Sequence, residues 1–163
     1  MGGAINVPGN LDPATINPAV ANRHAEWNAF FDPFAVNAAL EQLEGLNVFP
    51  LDITNSAPIT PSFMGTLKAQ GRQYTFSQLA AEGYGLVSNE PFYDMWDVCA
   101  TCWLAVPDLY TPPQRSGLDI VPWGFEQGWL RKSTAGKPQN LFLSFQDQAG
   151  FYSYVTSQLA RSA

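Results

Sequence analysis

The run His24-Ala25-Glu26-Trp27-Asn28-Ala29-Phe30-Phe31-Asp32-Pro33 places a carboxylate, an indole and a carboxamide among phenylalanines. Such a mixture suits a pocket that holds a small polar ligand against an apolar wall. The same residues also read as a partly buried loop whose polar groups cap the following helix. A second polar-aromatic patch spans 88–97 and ends in Met95-Trp96-Asp97. A flat ring could stack on Trp96 while neighbouring hydroxyls meet Asp97. Core packing is the alternative for Trp96. For Asp97 the alternatives are a carboxylate at a helix N-terminus and a metal ligand.

Other chemistries fail on residue supply. A hard cation such as Ca²⁺ takes about six to eight oxygens, and nothing beyond Asp97 has the spacing of an acidic metal loop. Cys99-x-x-Cys102 has only His24 to join it, so a four-ligand zinc site cannot be completed. A thiol redox pair would open a helix, whereas this pair falls inside one. The plain reading is two small apolar residues on a buried helix face. With one histidine in the chain, no Ser-His-Asp or Cys-His arrangement is suggested.

The totals bound the class of protein. The chain has 163 residues and 46% hydrophobic content, enough for one domain with a sizeable core over 1–163. Its net charge is −6 and its eight basic residues are scattered, with only Arg131-Lys132 adjacent. No basic stripe exists to track a phosphate backbone, so polymeric nucleic acid is excluded as a partner. No apolar run reaches the length of a membrane span. The start, Met-Gly-Gly-Ala-Ile-Asn-Val, has neither a charged region nor a long apolar run of the kind that opens a signal peptide. The expectation is a cytoplasmic protein, and two cysteines, too few for a disulfide scaffold, point to a reducing compartment.

The elements that must position these residues read as α/β. Residues 2–7 predict a strand and Pro8-Gly9-Asn10 a turn, followed by a polar loop with Pro13 and Pro18. Asp32-Pro33 starts a helix with Val36, Leu40 and Leu43 on one face and Gly45 at its end. Leu46–Leu51 predicts a buried strand, so the first fifty residues take a strand–helix–strand, parallel-sheet pattern. Helices follow from Thr60-Pro61, from Thr75 and after Asp97, the last carrying Cys99, Cys102 and Val106 up to Pro107. Leu118–Trp123, Phe125–Leu130 and Asn140–Phe145 predict strands, the last two forming a hairpin around 134–138. Asp147 caps a terminal helix.

Taken together, Met1-Gly2-Gly3-Ala4, Gly9-Asn10, Ala25-Glu26-Trp27-Asn28 with Asp32-Pro33, Pro50-Leu51-Asp52-Ile53-Thr54 and Met95-Trp96-Asp97 resemble the calcium-dependent, inosine–uridine-preferring nucleoside hydrolases. The resemblance runs through most of 1–106. It implies the C-terminal part of a Rossmann-like fold, with a parallel sheet core, flanking helices and a C-terminal antiparallel hairpin. It implies that Asn10, Glu26 and Asn28 bind ribose, that Met1 lines the ribose pocket, and that Asp97 is a calcium ligand that also meets the ribose hydroxyls. Trp96 stands where one branch of the family has a histidine, so it resembles the purine-preferring branch, as does Trp27. The implied reaction is hydrolysis of the N-glycosidic bond through an oxocarbenium-like transition state, with a calcium-bound water attacking the anomeric carbon.

The chain departs from the family in two ways. The gap from Asn10 to Glu26 is longer. The aspartate-rich N-terminal motif, with the general base and most calcium ligands, has no counterpart in these residues. The expectation is therefore an incomplete nucleoside hydrolase domain with no catalytic residue of its own, inactive alone. It would act on a nucleoside as part of a homo-oligomer or with a partner supplying the missing half. The alternatives are a non-catalytic, ribose-binding fragment and a thiol redox protein, the latter requiring an accessible Cys99 or Cys102.

Overall fold

The computed structural model describes residues 1–11, 22–87 and 93–162. The polar loop with Pro13 and Pro18, and the 88–92 portion of the second patch, lie outside the described residues. The chain divides into two compact units, Met1–Thr54 with Thr111–Ser144, and Asn55–Tyr110 with Phe145–Ala163.

The first unit is α/β. Its sheet has four strands, β1 (Asn47–Val48), β2 (Gln114–Ile120), β3 (Leu130–Lys132) and β4 (Pro138–Leu141), in the order β1-β4-β2-β3. β1 runs parallel to β4, while β2 runs antiparallel to both β4 and β3. Helices α1 (Trp27–Phe31), α2 (Pro33–Gln42) and α3 (Leu51–Thr54) belong to the same unit. Asp32 caps α2 by accepting from the Ala35 amide at 2.9 Å, and Pro33 fills the first helical position. Leu40 and Ala29 are buried against Leu118, Ile120, Leu130 and Leu141, with Val36 packed beside them.

Four expectations change here. Residues 2–7 form no strand: the amides of Ile5 and Asn6 go to the Asp52 carboxylate, each at 2.9 Å, rather than to a neighbouring strand. The Leu46–Leu51 strand shrinks to Asn47–Val48, because Leu51 already opens α3. Its parallel partner is accordingly β4, not the N-terminal segment. The hairpin joins β2 to β3, and β2 lies between β3 and β4, so the two last strands are not paired. Finally, α2 stops at Gln42. Leu43 turns extended and is half exposed, and Gly45, two residues after it, adopts a left-handed φ of +72°.

The end of α2 is held by a buried carboxamide. Gln139 is fully buried on β4. Its Nε2 donates to the carbonyls of Leu40 at 3.3 Å and Leu43 at 3.0 Å, and its Oε1 accepts from the Leu46 amide at 2.8 Å. One side chain thus satisfies helix-end carbonyls and the amide just before β1.

The second unit is helical, with α4 (Pro61–Gln70), α5 (Thr75–Gly85), α6 (Trp96–Trp103), a 3₁₀ turn at Pro107–Leu109 and α7 (Gln148–Leu159). Thr60 caps α4 through the Phe63 amide at 3.1 Å, and Asp147 caps α7 through the Gly150 amide at 2.8 Å, as the sequence predicts. Phe63, Leu67, Met95, Cys99 and Phe151 form its buried interior. α6 ends at Trp103, before Val106, and Pro107 opens the 3₁₀ turn.

Replacing Gln139 with Ala strands helix-end carbonyls and the Leu46 amide. It should lower unfolding free energy by about 2–4 kcal/mol, whereas Asp32→Ala should cost about 1 kcal/mol. Urea denaturation followed by circular dichroism measures both.

Candidate functional site

The residues singled out from the sequence divide between the units: Met1, Asn10, Glu26, Trp27 and Asn28 in the first, Trp96 and Asp97 in the second.

In the first unit the chain crosses itself closely. The Gly9 amide donates to the Arg23 carbonyl at 2.6 Å and the Asn10 amide to the Ala25 carbonyl at 3.1 Å. A Cβ on Gly9 would sit 2.0 Å from the Ala25 carbonyl oxygen, so only glycine permits this crossing. The Asn10 Oδ1 then accepts from the Trp27 amide at 3.0 Å, at the start of α1. Asn28 is exposed, and its Nδ2 lies 3.5 Å from the Met1 carbonyl oxygen and 3.6 Å from the Met1 sulfur. The half-buried Trp27 stacks on Phe31, with ring centroids 5.1 Å apart. Met1, Asn10, Trp27 and Asn28 are therefore gathered around one helix start.

Glu26 stands behind them. It is 2% exposed. One carboxylate oxygen accepts from the Asn28 amide at 3.0 Å, while the other accepts from Ala29 at 3.2 Å and from Gly3 at 3.0 Å. It is the N-cap of α1, so the capping alternative read from the sequence describes this residue. Gly3, with φ +82°, brings its amide to that carboxylate, and a Cβ there would strike Leu130. Met1 also lines an apolar cavity of about 210 Å³ with Val36, Leu40 and Leu130, but Asn10, Glu26, Trp27 and Asn28 do not line it.

Two further groups in this unit escaped the sequence reading. Asp52 takes the amides of Ile5 and Asn6 and the Asn6 side chain, pinning the segment that follows Met1-Gly2-Gly3. Asn22 is buried, accepts from the amides of His24 and Ala25 at 3.1 and 2.7 Å, and donates to the Gln127 carbonyl at 3.0 Å. The available signals were that Asp52 lies within Pro50–Thr54 and that Asn22 sits four residues before Glu26. His24 is exposed, with its ring 4.6 Å from Trp129.

In the second unit Trp96 opens α6, half buried, with its ring 4.7 Å from Tyr93. Asp97 follows in the first turn, exposed. It is not the cap: Met95 holds that position and no side-chain cap bond is made. The field of the helix end favours a negative charge there. Asp94, three residues before Asp97, has its carboxyl pushed up to about 6 by burial. A separate, mainly apolar cavity of about 450 Å³ is lined by Tyr84, Tyr93, Tyr154, Cys102 and Val155, and does not include Trp96 or Asp97.

Cys99 and Cys102 are both buried. Burial first, then the neighbouring Cys102 and Asp94, push the Cys99 thiol up to about 12, and burial pushes Cys102 up to about 11. Neither thiol is the accessible thiolate that redox exchange requires, which removes the thiol redox reading. Among the described residues, no three His, Cys, Asp or Glu side chains gather as a metal site. Asp97 alone cannot fill the shell of a calcium ion, so the described residues by themselves do not fit one.

The fold is that of nucleoside hydrolases. The chain is similar to an inosine-uridine preferring nucleoside hydrolase from Bacillus anthracis, with a TM-score of 0.82 and 27% identity, over 99% of this chain and 50% of that one. It shares its fold with a purine-preferring ribonucleoside hydrolase from Gardnerella vaginalis, with a TM-score of 0.76 and 16% identity, over 99% and 52% of the two chains. In sequence it is 29% identical over 150 residues to the non-specific ribonucleoside hydrolase RihC of Escherichia fergusonii, covering 86% of this chain and 47% of that protein. The family model described as inosine-uridine preferring nucleoside hydrolase matches residues 1–146, and the chain belongs to that family. It spans about half the length of the curated relatives it matches.

The raised Asp94 carboxyl makes a pH prediction. In the folded chain it holds its proton up to about 6, against 3.8 for the ordinary group. Between those values the native state binds more protons than the unfolded one, so Asp94 supports stability at low pH and loses that contribution as pH rises through about 6. Asp94→Asn should flatten the fall in melting temperature between pH 4 and pH 7. An unchanged slope would show that this carboxyl is not held out of water.

Proposed function

We propose that this chain provides the ribose-facing wall of a ribonucleoside hydrolase that releases ribose and a free base, with purine nucleosides preferred. The observation that carries the reading is the gathering of Met1, Asn10, Trp27 and Asn28 at the start of α1 in a chain of this family. Carboxamides at Asn10 and Asn28 offer both donors and acceptors to sugar hydroxyls, and Trp27 offers an apolar face. Glu26, whose oxygens already serve the amides of Gly3, Asn28 and Ala29, sets the backbone on which the others stand.

For Trp96 the proposal is stacking on a purine base. For Asp97, an exposed carboxylate that caps nothing, it is ligation of calcium together with contact to ribose hydroxyls. The remaining calcium ligands and the general base would come from residues other than those described. On this account the 163 residues are one part of an incomplete hydrolase domain, and a partner or further segment completes the chemistry. The second reading is a nucleoside-binding portion with no hydrolysis. It is favoured by the absence of an acidic cluster among the described residues.

One experiment separates these readings. Inosine, adenosine and uridine are titrated into the 163-residue chain, with and without calcium, following tryptophan fluorescence and ribose release together. Inosine should quench the fluorescence, Asn28→Ala should weaken that binding about tenfold or more, and no ribose should appear. A complete lack of quenching would remove the ribose-facing reading. Calcium-dependent ribose release that disappears in Asp97→Asn would show the chain to be a hydrolase by itself.

A further inference from the structure

The second unit holds a space that its own side chains do not fill. The space is about 450 Å³, and α5, α6 and α7 border it through Tyr84, Val98, Cys102, Tyr154 and Leu159, with Tyr93 from the segment before α6. The helices around it are pinned. The buried Ser77 hydroxyl donates to the Leu159 carbonyl at 2.8 Å and the Phe76 amide to the Arg161 carbonyl at 3.3 Å, which ties the start of α5 to the end of α7. The buried Tyr110 hydroxyl donates to the Cys99 carbonyl at 2.8 Å and anchors α6. On α5 the cavity is also bordered by Gly83, where a Cβ would meet nothing within 4 Å, so no packing neighbour requires a glycine there.

The lining decides what such a space accepts. Small-molecule pockets span about 300–1,000 Å³ and are mostly apolar with a few polar groups. No Asp, Glu, His, Lys or Arg borders this one among the described residues. Burial first, then the neighbouring Tyr93, Cys102 and Cys99, push the Tyr84 hydroxyl up, and burial keeps the Cys102 thiol protonated. A charged ligand would therefore lose its water and meet no opposite charge. Three tyrosine rings offer faces and edges to a flat ring, and sulfur beside them adds a favourable aromatic contact. Among the described residues the Tyr84, Tyr93 and Tyr154 hydroxyls make no hydrogen bond, so each remains able to donate or accept one.

We propose that this cavity is a ligand site for a neutral, flat aromatic molecule of one or two rings that carries a hydrogen-bonding group. The rings lie among Tyr84, Tyr93 and Tyr154, and the Tyr84 hydroxyl meets the polar group. The site is independent of the ribose-facing wall, since Met1, Asn10, Trp27, Asn28, Trp96 and Asp97 do not border it.

Equilibrium dialysis of indole against the full 163-residue chain tests this. Indole should bind at one site with a Kd of about 0.1 mM or tighter. Indoleacetate should bind about tenfold more weakly or worse, because its carboxylate finds no partner. Gly83→Leu fills the cavity from α5 and should abolish indole binding. Gly65→Leu on α4, where a Cβ also meets nothing within 4 Å and which does not border the cavity, should leave binding unchanged. Melting temperatures no lower than that of the unaltered chain certify folding, and Tyr84→Phe decides the matter if Gly83→Leu melts lower. Tyr84→Phe keeps the ring and should weaken indole binding about threefold or more. The proposal is overturned if no indole is retained at about 1 mM, if indoleacetate binds equally well, or if a folded Gly83→Leu or Tyr84→Phe binds indole as the unaltered chain does. Displacement of indole by inosine would also overturn it, because the cavity would then belong to the nucleoside site.

Discussion

The buried carboxylate of Glu26 is the constraint on which the candidate wall depends. A carboxylate taken out of water is costly unless its oxygens are satisfied, and here Gly3, Asn28 and Ala29 satisfy them through backbone amides. The arrangement joins sequence positions 3 and 26–29, so the chain start cannot move independently of α1. Gly3 in turn gives its carbonyl to the Leu51 amide at 2.8 Å, and Gly2 donates to the Phe49 carbonyl at 3.2 Å. Met1, whose carbonyl and sulfur face Asn28, is placed by this chain of bonds rather than by a strand. The polar groups left facing outward are carboxamides, which bind hydroxyls without carrying charge.

The second unit works by different means. Its helices are capped by Thr60 and Asp147 and packed around Phe63, Leu67, Cys99 and Phe151. Burial keeps both thiols protonated and raises the Asp94 carboxyl. Asp97, by contrast, stays exposed in the first turn of α6 with no capping duty. Two carboxylates three residues apart thus sit in different environments, and the exposed one suits a role toward a cation or a sugar.

What could be read from the sequence was local. Asp32, Thr60 and Asp147 cap their helices as expected because capping needs only a side chain and amides two or three residues on. The α/β class followed from the alternation of predicted strands and helices, and the family from ordered motifs such as Ala25–Asn28 and Pro50–Thr54. The missed features are set at long range. Residues 2–7 look like a strand, yet Asp52 takes the amides of Ile5 and Asn6 from 47 and 46 positions away. Strands 125–130 and 140–145 look like a hairpin, but β2 intervenes, a pairing that local pattern does not encode. The type of Glu26 marked it as important; that its partners are backbone amides emerges only when Gly3 is brought beside α1.

Amide hydrogen exchange at Gly3, Asn28 and Ala29 tests this account most directly. In the unaltered chain these amides, held by Glu26, should exchange slowly and together. In Glu26→Ala they should lose protection while Leu40 and Leu141, in the sheet-and-helix core, keep theirs. Retained protection at Gly3 and Asn28 in that variant would contradict the account, because the wall would then be held by something other than the buried carboxylate.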